Sequence, residues 1–298
     1  MTVYHGTSSA YARIIGHHTN VVSIKKDDTV LLEVPFQDDL VQAPENRKLL
    51  DVEHIVRFAD EVKIPDVQEV LQRQIDYNMA IAQAGMDGSY GATIGKILLK
   101  SYGNCIQNRA KAWAAAGSDA RMCGCELPVV INSGSGNQGM TASIPVIVYA
   151  REMGMTQDAL YRALVVSNLV TIHLKTGIGS LSAYCGATSA GCGAGAGICY
   201  LYGGRYDQIS HTIVNALAIN SGMICDGAKA SCAAKIASAV EAGLLGMQMN
   251  MHDSQFIGGD GIVIKGVENT IRAVSQIARE GMRGTDQEII HLMIVGED

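Results

Sequence analysis

The sequence predicts an α+β protein that is mainly α-helical, in which a small N-terminal β-containing segment accompanies a large glycine-rich helical domain. The first 35 residues favour β-branched side chains in alternation, and apolar residues then recur at helical spacing from residue 51 onward. Charged residues are concentrated outside the centre of the chain. We therefore expect a β-strand segment at residues 1–45 and a helical domain at residues 46–298.

The N-terminal segment is predicted to form antiparallel strands. Residues 10–15 and 20–24 combine apolar and β-branched side chains in the pattern of half-buried strands. Residues 26–29 (Lys-Asp-Asp-Thr) separate two such runs, and Asp residues tolerate the backbone angles of a tight turn. This pattern indicates a hairpin centred on that turn.

Helices are predicted over the rest of the chain. Asp51 is placed to cap a helix whose apolar residues recur every three or four positions, and Pro65 suits the first turn of the next helix. Further helical patterns occur near residues 90–116, 138–153, 158–174, 206–220, 229–246, 268–280 and 285–295.

Composition narrows the function classes. The chain has 298 residues, of which 48% are apolar and 17% charged, so it can bury a large core and is not intrinsically disordered. The net charge of -6 and the absence of a long basic run make nucleic acid an unexpected partner. A homo-oligomer is the default expectation for an enzyme of this size.

The centre of the chain is poor in charge and rich in glycine. Residues 176–204 contain no Asp, Glu, Lys or Arg, a length sufficient to cross a bilayer. Much of this run is Gly, Ala, Ser or Thr, so its apolar area is modest and a closely packed internal helix is favoured. A membrane span is the alternative, and we expect no membrane association.

Eight cysteines are present in a long chain that begins without an apolar signal region. This favours a reducing cytoplasm, in which the thiols are free, catalytic or metal-bound. Cys185, Cys192 and Cys199 are seven residues apart, as are Cys225 and Cys232. Seven residues make two helical turns, so each set would line one helix face. A core stripe of small thiols is one interpretation of this spacing.

A shared cluster is the other interpretation, and it requires a bend. Cys225 and Cys232 would lie about 10 Å apart on a continuous helix, too far for one cluster. Asp226 and Gly227 tolerate a turn that would bring the two thiols together. Cys105, Cys123 and Cys125 match no metal-site spacing and are set aside.

Residues 133–139 (Ser-Gly-Ser-Gly-Asn-Gln-Gly) form a polar loop before an apolar helical run. A glycine-rich loop at a helix start exposes backbone N–H groups that favour an anion such as a substrate carboxylate. The alternative is a simple polar turn with Asn137 as the helix cap. Near the N-terminus, His17 and His18 follow a strand and precede Thr19 and Asn20, so only one imidazole can face a site.

Several long motifs in order resemble the L-cysteine desulfidase family, which is related to the iron-sulfur L-serine dehydratases (alpha-chain type). They are Gly16–Asn20, Ser133–Gly139, Lys175–Gly186, Ala190–Gly197 and Ser221–Cys232. The resemblance implies an oxygen-sensitive [4Fe-4S] cluster bound by three cysteines, which carry over to Cys192, Cys225 and Cys232, with Cys185 as a substitute. It also favours substrate binding by Thr19, Asn20, Ser133, Ser135, Asn137, Gln138 and Gly139.

The chemistry implied is β-elimination from a small L-amino acid. Three thiolates on four irons leave one iron free to act as a Lewis acid toward the leaving group. L-Cysteine would give pyruvate, sulfide and ammonia; L-serine dehydration is the alternative. His18 and Lys175 are the candidate catalytic residues. Composition alone leaves open a pyridoxal phosphate Schiff base at Lys175, Lys229 or Lys235, which the resemblance disfavours.

The chain departs from the family in one respect. Family members usually have over a hundred residues before the strand region, with a Gly-Cys-Thr-Glu-Pro segment that has no counterpart here. We therefore expect one of three cases: a separate partner subunit supplies the missing N-terminal portion, the sequence is a fragment of a longer chain, or the protein has lost activity. A non-catalytic cluster-binding subunit remains an alternative function.

Overall fold

The computed structural model describes residues 1–15, 20–35, 45–179 and 182–295. It confirms the α+β, mainly α-helical class. Contacts divide the chain into two units, Met1–Lys48 and Leu49–Asp298. The domain boundary expected after residue 45 stays a prediction.

The first unit contains an antiparallel meander of four strands in the order of the sequence. Asp27 occupies the turn between the last two strands with a φ of 52°, and its carboxylate accepts a hydrogen bond from Ser9 N at 2.6 Å. The predicted hairpin is therefore confirmed. The strands are β1 (Thr2–His5), β2 (Ser8–Ile14), β3 (Val21–Lys26) and β4 (Thr29–Glu33).

The second unit is helical. A 3₁₀ turn at Glu45–Leu49 precedes it, and a π-helical turn at Ile277–Gly281 interrupts its last part. Within the described residues the α-helices are α1 (Val52–Glu61), α2 (Ile64–Asp87), α3 (Ile94–Tyr102), α4 (Ile106–Met122), α5 (Gly136–Glu152), α6 (Gln157–Ile178), α7 (Gly186–Leu201), α8 (Tyr206–Asn220), α9 (Cys232–Met251), α10 (Val267–Gln276) and α11 (Arg283–Val295).

The helix starts agree with the sequence signals. Asp51 caps α1 by accepting a hydrogen bond from His54 N at 2.8 Å, and Pro65 lies in the first turn of α2. The helical pattern near residues 90–116 corresponds to two helices, α3 and α4. It breaks at Gly103, whose φ of 83° ends α3, and Asn108 of α4 donates to the carbonyl oxygens of Tyr102 and Gly103.

The glycine-rich helix α7 lies in the centre of this unit, buried from Ala187 to Leu201. Its neighbours are α5, α6, α8 and α9. No helix in the described parts of the chain combines the length and the apolar character that crossing a bilayer requires. The charge-free run is thus largely the buried central helix.

Close packing fixes the directions of the helices around α7. A Cβ at Gly191 would collide with the carbonyl of Ala239, and one at Gly195 would collide with Gly243, so α7 and α9 run parallel. Gly186 packs against Gln138, and Gly197, further along α7, packs against Val146, further along α5. The helices α5 and α7 therefore also run parallel. Gly193 packs on Ser167 and Gly197 on Ala163, which makes α6 antiparallel. Therefore α5, α7 and α9 begin at one end of the unit, where α6 ends.

Candidate functional site

Two short backbone segments meet at the start of α7. Tyr184 and Ile224 form an isolated antiparallel bridge. Cys185 N donates to Met223 O at 2.9 Å, and Cys225 N donates to Ala183 O at 2.6 Å. We call this pairing of residues 183–185 with residues 223–225 the clasp. It brings Cys185 and Cys225 together although they are far apart in sequence.

Cys185 and Cys225 each follow a residue of the Tyr184–Ile224 bridge, so they lie on the same face of the clasp. The Cys185 side chain lowers the pKa of Cys225 to about 6; the backbone at Gly227 and the cations Lys235 and Lys175 act in the same direction, while burial opposes them. The Cys225 side chain and burial raise the pKa of Cys185. Cys185 is buried and Cys225 is half-buried. The pair therefore combines one sulfur that readily forms a thiolate with one that stays protonated.

Cys232 is the first residue of α9, at the end of the loop that follows the clasp. Gly227 turns the chain back with a φ of 91°, so Cys225 and Cys232 do not share a helix. The bend that the sequence predicted is confirmed. The Cys232 sulfur lies 3.5 Å from Lys229 N and 3.7 Å from Gly227 O. Its thiol is therefore held by the backbone of its own loop.

An ion pair between Lys235 and Asp226 fastens this loop to α9. Burial lowers the pKa of Lys235, but the Asp226 carboxylate and the thiols of Cys185 and Cys232 raise it above its usual value. The hydrogen bond from Lys235 lowers the pKa of Asp226. Lys235 therefore supplies positive charge beside the cysteines.

Lys175 reaches the same end of the unit from the last turn of α6, as the antiparallel packing of α6 requires. Its side chain is buried and forms no ion pair with a described residue. Burial lowers the pKa of Lys175, and the nearby Cys225 and Cys185 partly offset this effect. A buried amine with such neighbours can bind an anion or exchange a proton.

The predicted polar loop, residues 133–139, leads into α5 and forms its first turn, which lies next to the start of α7. Ser135 is the N-cap, and its Oγ lies 3.5 Å from Gln138 N, so the cap is Ser135 and not Asn137. Ser133 has a φ of 49° and donates from Oγ to Asn132 Oδ1 at 2.8 Å. The loop is therefore an ordered helix start with N–H groups directed at this end.

Gln138 links this loop to the clasp. It is 7% exposed, and a Cβ at Gly186 would lie 2.5 Å from its Cδ. Its Oε1 atom has no hydrogen-bond partner among the described residues. A buried amide oxygen without a partner loses its hydration, which a bound donor would restore. Gln138 is thus placed to meet a ligand beside Cys185.

Arg121 joins the starts of α5 and α9. Its Nη1 donates to Asn137 Oδ1 at 3.3 Å, and its guanidinium packs against Gly136. Burial lowers the pKa of Arg121, and the nearby Cys232 opposes this. Gly139 has a packing role, because a Cβ there would collide with Val130 O.

Cys192 is separated from the clasp. It lies two helical turns into α7, about 10 Å along the axis from Cys185. Its side chain is 1% exposed, and burial raises its pKa to about 12. Cys199 lies two turns deeper in the same core. The structure therefore brings Cys185, and not Cys192, next to Cys225.

The side chains around the clasp include candidate ligands of an iron-sulfur cluster. No three His, Cys, Asp or Glu side chains of the described residues are close enough together to hold a metal ion. Nevertheless, Cys185 and Cys225 share one face of the clasp, Cys232 begins the adjoining helix, and Lys175 and Lys235 lie near these cysteines. Thiolates are the ligands of such clusters, and helix starts favour thiolates. The residue types therefore fit the cofactor.

The chain matches one known protein family over most of its length. The model of the family described as "Serine dehydratase alpha chain" matches residues 18–291. The chain belongs to the serine dehydratase alpha-chain family. This confirms the resemblance to iron-sulfur serine dehydratase relatives.

Similar proteins of the family occur in several bacteria under the name UPF0597 protein. The one from Desulfitobacterium hafniense is 59% identical over 99% of this chain and 68% of its own length. The one from Lachnoclostridium phytofermentans is 48% identical over 97% of this chain and 69% of its own length. The one from Bacteroides thetaiotaomicron is 36% identical over 97% of this chain and 68% of its own length. No solved structure matches the chain.

Membership of the serine dehydratase alpha-chain family leaves the individual site residues as predictions. His18 and Thr19 lie outside the described residues. Asn20 Nδ2 donates to Ile15 O at 2.8 Å in the first unit, and Ile15 N donates back to Asn20 O. Asn20 therefore closes the connection between β2 and β3.

Of the residues near the clasp, the sequence gives no indication of Arg121 and too little weight to Lys235 and Cys185. Arg121 lies in a helix with no recognisable motif. Lys235 is named from the sequence only as one of three possible Schiff-base lysines, because its ion pair with Asp226 depends on the loop geometry. Cys185 was ranked behind Cys192. The position of the helix start, directly after Cys185, is the signal that could have reversed that order.

Proposed function

We propose that this chain carries the cluster-binding and substrate-binding part of a lyase that eliminates the β-substituent of a small L-amino acid. Serine dehydratase-like membership supports the lyase class. The observation that carries the proposal is the meeting of Cys185 and Cys225 at the clasp, between Lys175 and Lys235.

We propose Cys185, Cys225 and Cys232 as the ligands of a [4Fe-4S] cluster, so that Cys185 replaces Cys192 in the set that the sequence suggested. Bound there, the cluster would supply a Lewis acid for the departing sulfur or oxygen. The free thiols agree with the reducing, cytoplasmic compartment expected from the sequence.

The substrate carboxylate is assigned to the start of α5. Ser133, Ser135, Asn137 and the N–H groups that follow Ser135 form a helix start, where an anion is favoured by the dipole and by unpaired donors. The unpaired Gln138 Oε1 lies beside them and can accept a hydrogen bond from the substrate ammonium group. Gly139 lets the first turn of α5 pack directly on the Val130 backbone, because a side chain there would collide with Val130 O. Thr19 and Asn20 remain proposed substrate contacts.

Proton transfer is assigned to Lys175 and His18. Lys175 is buried beside the clasp and forms no ion pair with a described residue, so it can hold or accept the substrate α-proton. His18 remains a proposal from the sequence. A second chain is proposed as the source of any missing group, because the family description names an alpha chain.

The substrate is either L-cysteine or L-serine. The motifs first favoured L-cysteine, which would yield pyruvate, sulfide and ammonia. The family description favours L-serine, which would yield pyruvate and ammonia. Both leaving groups bind iron, so the specificity depends on contacts to the rest of the amino acid.

The test is anaerobic reconstitution of the full chain with iron and sulfide, followed by metal analysis and absorbance at about 400 nm. Pyruvate release is then measured with each amino acid and with both in competition, with and without a candidate partner chain. We expect roughly four irons per chain and pyruvate from one of the two substrates. Absence of iron uptake by the folded chain would refute the cluster. Cluster uptake without pyruvate in any combination would leave a cluster-binding subunit and refute the lyase.

A further inference from the structure

The clasp provides a modification site as well as a ligand pair. Cys185 and Cys225 lie diagonally opposite each other on one face of the clasp, and backbone hydrogen bonds hold both cysteines in place. We propose that Cys185 and Cys225 form an intramolecular disulfide in the metal-free protein when a small disulfide compound oxidises Cys225.

The fold supplies the preorganisation that disulfide formation needs. Each cysteine directly follows a residue of the Tyr184–Ile224 bridge. The backbone N–H of each cysteine donates a hydrogen bond to the opposite segment of the clasp. The Tyr184 ring is buried, and its hydroxyl lies 3.0 Å from Ser221 Oγ, just before the second segment of the clasp. The entropy cost of bringing the two sulfurs together has thus been met by folding.

Exposure determines which sulfur reacts first. Cys225 is half-buried, whereas Cys185 is only 8% exposed, so an external disulfide reaches Cys225. The Cys225 thiolate attacks one sulfur of the compound, breaks its S–S bond and releases one thiolate, leaving a mixed disulfide. Cys185 then loses its proton and attacks the Cys225 sulfur, which releases the second thiolate. Two protein thiols are oxidised, and one external disulfide is reduced to two thiols.

Other cysteines are poorly placed to compete. The Cys232 sulfur faces the backbone of its own loop at Gly227 and Lys229. Cys192 is buried two turns inside α7. If the proposed function is correct, the disulfide also removes two cluster ligands, so that the oxidised chain would need a thiol reductant before it could take up iron.

The experiment uses the full chain, freed of metal by a chelator and reduced anaerobically. Oxidised glutathione is added in excess, the remaining thiols are counted, and unreduced peptides are mapped by mass spectrometry. We expect one cross-linked peptide pair that joins Cys185 to Cys225, whereas the exposed Cys105 and Cys123 can gain only glutathione as a mixed disulfide.

Three variants provide the controls, each checked for native circular dichroism. Cys192→Ala should form the same cross-link. Cys185→Ala should stop with glutathione on Cys225, and Cys225→Ala should leave Cys185 reduced. A Cys225–Cys232 cross-link, or glutathione persisting on Cys225 of the unmodified chain, would overturn the inference.

The readout is a peptide mass and does not depend on the cluster. A reduced chain that forms this disulfide yet binds no iron would refute the proposed function while supporting the inference. A chain that binds iron but forms no such disulfide would refute the inference while supporting the proposed cluster.

Discussion

Gly191 of α7 packs without a side chain against the backbone carbonyl of Ala239 of α9. The contact is repeated four residues further along both helices by Gly195 and Gly243. The helices therefore run side by side from the same end. Their starts carry Cys185 and Cys232, so this packing sets the positions of two proposed ligands.

Replacement of Gly191 by alanine should destabilise the protein. The added Cβ would collide with Ala239 O, which is backbone and cannot move aside without shifting α9. Overpacking of this kind costs about 1–3 kcal/mol, which outweighs the gain of up to ~1 kcal/mol from the better helix propensity of alanine. Urea denaturation measures the change in the free energy of unfolding.

Gly284→Ala in α11 is the matched control. No atom lies within 4 Å of a Cβ at that position, so only the propensity gain applies and stability should not fall. Equal stability of the two variants would show that the contact between α7 and α9 is not as close as the structure indicates.

Sequence patterns were sufficient for the class and for most helix boundaries. Asp51 and Pro65 mark helix starts because their side chains act locally on the backbone. The break at Gly103 was missed because the apolar periodicity continues across it. That break is stabilised by Asn108, whose side chain reaches back to two carbonyl oxygens.

The site was only partly predictable for a related reason. The seven-residue spacing puts Cys185 and Cys192 on one helix face, but it does not show where the helix begins. The clasp depends on a bridge between Tyr184 and Ile224, and no local pattern encodes such a long-range pairing. The turn at Gly227 was predictable, because glycine permits its positive φ.

The choice between Cys185 and Cys192 can be decided by iron retention. We expect Cys185→Ser to lower the iron content of reconstituted protein severely, as Cys225→Ser and Cys232→Ser should, because each removes a proposed ligand. Cys192→Ser should retain most of the iron, since its side chain lies two turns inside α7. Iron and sulfide analysis of anaerobic samples measures both.

Cys123→Ser controls for nonspecific effects, because Cys123 is an exposed residue at the end of α4. Circular dichroism must first show that each variant is folded. If Cys192→Ser lost the iron together with Cys225→Ser and Cys232→Ser while Cys185→Ser retained it, the ligand set would include Cys192, and Cys185 would not be a ligand.

Glu268 should make stability depend on acidic pH. Its Oε1 accepts a hydrogen bond from Val52 N at 2.9 Å, and Oε2 lies 2.8 Å from His173 Nε2. Burial raises the pKa of Glu268, but these hydrogen bonds and the His173 charge lower it below the usual 4.5. Since the folded-state pKa is depressed, the contribution is complete above the unfolded value and is lost as the pH falls through the folded value.

Glu268→Gln should therefore lower the free energy of unfolding by about 1 kcal/mol near neutral pH. The difference from the unmodified protein should shrink as the pH falls below the usual 4.5 and through the lowered folded-state pKa, because the protonated carboxyl then resembles the amide. Chemical denaturation over a pH series from neutral to acid measures this difference. Glu69→Gln is the control, since Glu69 is exposed and, within the described residues, pairs only with Arg73. A pH dependence equal to that of Glu268→Gln would contradict the prediction.

Asn78 of α2 should hold residues 130–139, which lead into the start of α5, in place. It is fully buried; its Oδ1 accepts from Val130 N at 2.9 Å, and its Nδ2 lies 3.0 Å from Ser143 Oγ and 3.3 Å from Val130 O. Asn78→Ala would leave the Val130 amide and carbonyl without these partners inside the protein. We expect a loss of about 2–3 kcal/mol and faster hydrogen exchange in residues 130–139.

Asn269→Ala is the comparison for this variant, because Asn269 is a surface side chain that bonds only to atoms near it in the chain, such as Lys265 O. It should cost well under 1 kcal/mol and leave exchange at the loop unchanged. If Asn78→Ala destabilised the protein without faster exchange at residues 130–139, Asn78 would stabilise α2 and α5 generally. Only the combined effect supports a positioning role, because Val130 packs against Gly139 and so links Asn78 to the start of α5.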